Sequence, residues 1–161
     1  MGKINLGRVV LGGLLAGVVL NVLYFVLNEP ILGDQWAVAT ESLGRVAPEG
    51  AGVMIRVHHV GYITWNFLIW NFLMGIALVW FYAAVRPRFG PGPKTAVFAG
   101  LAVWFVVWVL AFGGTLLAGM IPTNAVVITL IWGVFQVPIA TVAGAWLYQE
   151  GGAPAPAAPE V

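Results

Sequence analysis

The chain has 161 residues, 61% of them apolar and 8% charged, and a mean hydropathy of +0.95. These values lie far outside the soluble range and read as an integral membrane protein forming one compact bundle. A net charge of +1 gives no footprint for nucleic acid or an acidic substrate, and the lack of cysteine excludes disulfides, thiolate nucleophiles, cysteine-ligated zinc and iron–sulfur clusters.

The first apolar segment, about 6–28, follows Lys3 and contains Arg8. It exceeds the ~7–15-residue core of a signal peptide, and no small-residue cleavage site follows Asn28, so a retained helix is expected. Gly13, Gly17, Asn21, Tyr24 and Asn28 recur at steps of three and four and share one face. Gly13 and Gly17 also form a small-xxx-small pair, which permits close helix approach. The loop that follows contains Trp36, Ala39, Leu43 and Val46 at helical spacing, with Asp34 placed to cap them and Pro48 to stop them. A short amphipathic helix over about 34–47 is expected at the membrane surface, with a lid over the bundle as the other reading.

The second segment, about 60–85, is long enough to cross the hydrocarbon, as are the third, about 95–121, and the fourth, about 124–148. A bilayer offers backbone groups no water, so all four are expected to be helices. Pro87 disfavours helical geometry at Arg86, which places the end of the second helix there. Between helices two and three stands Arg86-Pro-Arg-Phe-Gly-Pro-Gly-Pro-Lys94. It is not a phosphate cradle, because Pro93 precedes the lysine and has no N–H to offer. Its cations complement a helix C-terminus and an anionic inner leaflet. Lys3, Arg8, Arg86, Arg88 and Lys94 fall on one side, whereas Arg45 and Arg56 share the other with Glu29, Asp34, Glu41 and Glu49. Both termini are therefore expected to be cytoplasmic. The Ala/Pro stretch 151–161 cannot bury a core and is expected to be disordered.

Polar residues within the spans form the informative minority. Asn21, Tyr24, Glu29, His58, His59, Tyr62 and Asn66 are expected toward the outer ends of helices one and two, with Thr115 and Thr129 at a similar level. Their convergence would make an outward-facing polar cavity. The simpler reading assigns Asn21, Asn66, Asn71 and Gln136 to hydrogen bonds between helices. His58 and His59 sit at the water interface and point about 100° apart, which is unsuited to paired ligation. Trp65, Trp80, Trp146, Tyr82 and Tyr148 fit two interfacial belts, while Trp104, Trp108, Ala111 and Thr115 would share a face of helix three. Packing or lipid contact is the first reading of that face, and a platform for a quinone or carotenoid ring the second. Pro138 is expected to bend helix four near Gln136.

The segments Ile4–Asn21, Trp80–Ala96 and Ala143–Tyr148 resemble a family of small, uncharacterised four-helix bacterial inner-membrane proteins without an assigned activity. The resemblance implies a multi-pass protein of the bacterial cytoplasmic membrane and carries no functional residue. The expected fold is thus an all-α membrane four-helix bundle with an interfacial helix in its first external loop. The leading functional expectation is a non-catalytic accessory or scaffold subunit, whose partners are the lipid bilayer and other membrane subunits or itself. No carboxylate lies inside a span, where a proton-coupled pump would need one. The alternative is binding or transport of a small hydrophobic or amphipathic molecule in the outer cavity, with His58 or His59 as a pH-sensitive gate. A membrane enzyme using Glu29 and His59 ranks third. No cofactor or metal is expected, with pigment, quinone or haem contact a minority reading.

Overall fold

A computed structural model of the chain describes residues 4–32, 60–119 and 121–148, with Glu29 and residues 60–66 described by backbone alone. The surface helix expected over 34–47, His58, His59 and the tail 151–161 lie outside the described residues. Helix α1, Leu6–Leu27, starts at Asn5, whose side chain accepts from the Arg8 N–H at 3.1 Å. It runs on through a wider π-helical turn, Asn28–Leu32, which carries Glu29 and Pro30, so the apolar stretch passes the expected end at 28 and, against the sequence reading, includes a carboxylate residue. Helices α2 (Val60–Phe89), α3 (Pro93–Leu117) and α4 (Thr123–Leu147) follow. The four stretches Leu6–Leu32, Phe67–Phe89, Pro93–Leu117 and Thr123–Leu147 are long and apolar enough to cross a membrane.

Three further boundaries differ from the sequence reading. Helix α2 does not stop before Pro87 but continues to Phe89. In the last turn the missing proline N–H costs a single bond, and Gly90 ends the helix with φ +83 while its N–H reaches the Arg86 carbonyl at 2.8 Å. Helix α3 starts two residues earlier than expected, with Pro93 in its first turn where a missing N–H does no harm, and Gly92 at φ 132 supplies the turn. It ends at Leu117 rather than near 121, because Gly119 adopts φ +65 and closes onto the Leu116 carbonyl. Within α3, Phe105–Phe112 winds as a π-helix, with the Gly113 N–H bonded five residues back to Trp108. That wider winding breaks the expected face. Trp104 and Trp108 both lie over Gly133 of α4, whereas Ala111 is exposed and Thr115 bonds back to the Phe112 carbonyl at 2.6 Å.

The helices form an antiparallel bundle in which α1 packs on α2 and α4, and α3 packs chiefly on α4. Glycine sets the distances. A Cβ on Gly13 would strike the Ile76 backbone, one on Gly17 would lie 2.8 Å from the Phe72 Cα, and one on Gly75 would meet the Gly13 carbonyl and the Gly17 nitrogen. Each four-residue step along α1 is thus matched by four residues back along α2, and backbones touch at every step. Gly12 does the same toward α4, where a Cβ on Gly144 would come within 2.7 Å of the Gly12 carbonyl. Gly100 receives the buried Pro138, so the space beside the proline is filled by a neighbouring helix. Only 17% of the most apolar stretch of α3 is buried, against 39–44% for the other three, which makes α3 the outlying helix.

Candidate functional site

The close seam between α1 and α2 positions a pair of polar side chains that bond to each other. Asn21 lies one turn beyond Gly17, and Asn71 one turn before Gly75. The Asn71 Nδ2 donates to the Asn21 Oδ1 at 2.9 Å, and the Asn21 Nδ2 donates to the Leu68 carbonyl at 3.4 Å. From the other side, the Gln136 Nε2 of α4 donates to the Leu20 carbonyl at 3.2 Å. Leu20 and Asn21 are therefore tied to two helices at once. At 1.5 Å per residue, Asn21 is about 22 Å from Leu6 and about 16 Å from Leu32, near the middle of the bundle. All three amides are buried. A neutral amide neither gives up nor takes a proton at ordinary pH, so this cluster can fix helix positions but cannot relay protons.

Of the residues expected to converge outside, Asn21 joins this central cluster. Tyr24 stacks on Phe67, with centroids 5.3 Å apart and rings 20° from parallel. Asn28 bonds locally, its Nδ2 donating to the Tyr24 carbonyl at 2.9 Å. Tyr62 and Asn66 occur on α2, and Glu29 in the turn that ends α1, each described by backbone only. Nearer that end of the bundle, Thr129 and Trp132 stand three residues apart on one face of α4, and Trp132 packs with Leu27, Leu32 and Ala125. The Thr129 Oγ1 and Trp132 Nε1 are buried without a hydrogen-bond partner. Each such orphan costs about 1–3 kcal/mol. Among the described residues no three His, Asp or Glu side chains cluster closely enough to hold a metal.

At the basic end, two tyrosines expected in the belts are buried instead, Tyr82 at 3% and Tyr148 at 4% exposure. Their rings meet edge to face at 6.0 Å, and the Arg86 guanidinium stands over the Tyr148 ring at 5.5 Å. A buried tyrosine hydroxyl needs a partner, and that of Tyr82 accepts the Gly92 N–H at 3.3 Å. Thr95 closes the other side of the turn by donating to the Phe89 carbonyl at 3.3 Å. Trp80 and Trp146 are exposed.

The sequence reading assigned Asn21, Asn71 and Gln136 to hydrogen bonds between helices, as the structure has them, but did not pair Asn21 with Asn71, which stands off the line of Tyr62 and Asn66. It also missed Gly12, Gly75, Gly100 and Gly133 as contact points. An isolated glycine in an otherwise apolar helix was the available signal for Gly75. No protein-family model matches the chain, and neither a curated protein nor a solved structure is significantly similar to it.

Proposed function

We propose that this chain is a multi-pass protein of the bacterial cytoplasmic membrane, with both termini cytoplasmic, that acts as a non-catalytic helical subunit of a larger membrane complex or homo-oligomer. The observation that carries the reading is how the polar groups of the core are used. Asn21, Asn71 and Gln136 are spent on joining α1 to α2 and α4, and the Trp104 indole donates to the Leu130 carbonyl of α4 at 3.1 Å. The core is thereby committed to rigidity. Helix α3 offers the complementary property, a largely unpacked apolar side that includes Phe98, Phe105, Val106 and Leu110. The test is purification in a mild detergent followed by measurement of particle mass and of co-purifying proteins. A stoichiometric assembly is expected, and a lone monomer would overturn the reading.

One observation favours a second reading, binding of a small amphipathic molecule near the outer ends of the helices. The orphaned Thr129 hydroxyl and Trp132 indole sit on the same face of α4 and could serve an oxygen-bearing ligand. A monomer that retains a small molecule, and loses it in Trp132→Phe with helicity unchanged, would establish that alternative.

A further inference from the structure

The basic end of the α3–α4 seam contains a groove of about 220 Å³ lined by Val97, Pro138, Ile139 and Val142. Pro138, buried against Gly100 of α3, forms the floor of this groove, and the exposed Val97 and Ile139 stand at its sides. Val97 is four residues from the start of α3, and Val142 five from the end of α4. The groove therefore begins about 6–8 Å inside the helix ends, at the depth of acyl chains rather than headgroups.

Two exposed side chains stand one helical turn from its lining, toward the basic end. Lys94 lies three residues before Val97 on α3, and Trp146 lies four after Val142 on α4, where it is 81% exposed. Helical side chains lean toward their own N-terminus. On α3 that direction carries the Lys94 ammonium out to headgroup level. On α4, which runs the opposite way, Trp146 stands exposed one turn beyond Val142, close to the helix end. The first turn of α3 adds a partial positive charge, since no side chain caps it at Gly92.

We propose that this groove holds an acyl chain of an anionic phospholipid of the inner leaflet, with the phosphate against Lys94 and the Trp146 indole N–H at the glycerol ester level. The inference rests on the membrane reading above. Charge selects this occupant, because a neutral helix from a partner or from a second copy would have no use for a lysine one turn from the lining.

The full chain is reconstituted in nanodiscs of equal phosphatidylglycerol and phosphatidylcholine, released, and weighed with its retained lipid by native mass spectrometry. Retention of phosphatidylglycerol over phosphatidylcholine by about five-fold is expected, the worth of one lysine at an anionic surface. Lys94→Gln should bring the ratio near one. Ile139→Trp, at an exposed position, should fill the groove and lower retention of both lipids. Arg8→Gln, on α1 at the same end, should change neither. Equal retention by the wild type, an effect of Arg8→Gln as large as that of Lys94→Gln, or full retention by Ile139→Trp would each overturn the proposal. So would cross-linking of a second copy through position 139. Release of the protein from native membranes by carbonate would refute the membrane reading itself, whereas a carbonate-resistant protein without lipid preference would refute the lipid site alone.

Discussion

Replacing Gly75 by alanine adds one methyl group at the point where α1 and α2 come closest. That Cβ would lie 2.5 Å from the Gly17 nitrogen and closer still to the Gly13 carbonyl, both backbone atoms that no rotamer change can move. Ordinary contact begins near 3.4 Å, so the helices must separate by roughly 1 Å. A gap of that size forfeits about a quarter to a half of the dispersion attraction along the seam. It also carries the Asn71–Asn21 bond, 2.9 Å long and one turn away, toward or beyond hydrogen-bonding range. Overpacking of this kind costs about 1–3 kcal/mol, and a lost interhelical bond adds about 0.6 kcal/mol. Alanine's better helix propensity offsets about 0.5–1 kcal/mol. A net loss of roughly 1–3 kcal/mol is expected in reversible unfolding from detergent micelles, followed by circular dichroism. Gly114→Ala is the matched control, since its Cβ would meet nothing within 4 Å. Equal stabilities for the two variants would refute the argument that backbone contact sets the α1–α2 distance.

A double-mutant cycle of Asn21→Leu and Asn71→Leu should give a coupling of about 0.6 kcal/mol and at most about 1.7, measured in the same unfolding assay; zero coupling would mean that the amides do not bond. Because the chain has no cysteine, single cysteines report topology without background. An impermeant maleimide added to intact cells should label Ser42→Cys and spare Arg88→Cys, and the reverse pattern would invert the proposed orientation. Tyr82→Phe removes the acceptor for the Gly92 N–H and should cost about 0.5–1.5 kcal/mol. Trypsin applied to inverted vesicles should then cleave faster after Arg88 and Lys94, and an unchanged rate would show that the hydroxyl does not hold the turn.

The sequence by itself determined the number and approximate extent of the apolar helices, because hydrocarbon length is a one-dimensional property that a chain displays in order. It marked Gly13, Gly17 and Asn21 as one face, and that face is the α1–α2 seam. It did not reveal that Asn71 is the partner of Asn21, since a partner fifty residues away is chosen by the register of two helices, and that register is fixed by where Gly75 lets the backbones meet. It placed Tyr82 and Tyr148 in the interfacial belts because residue type and depth suited them, whereas their edge-to-face contact and the Gly92 N–H draw them into the core. It read α3 as a regular helix, and a single π segment rotated Ala111 away from Trp104 and Trp108. Tertiary structure thus decided the order of the helices, the joining of the amides at mid-bundle and the outlying place of α3. All three depend on which surfaces approach most closely, and a methyl group's width at a few glycines sets that distance.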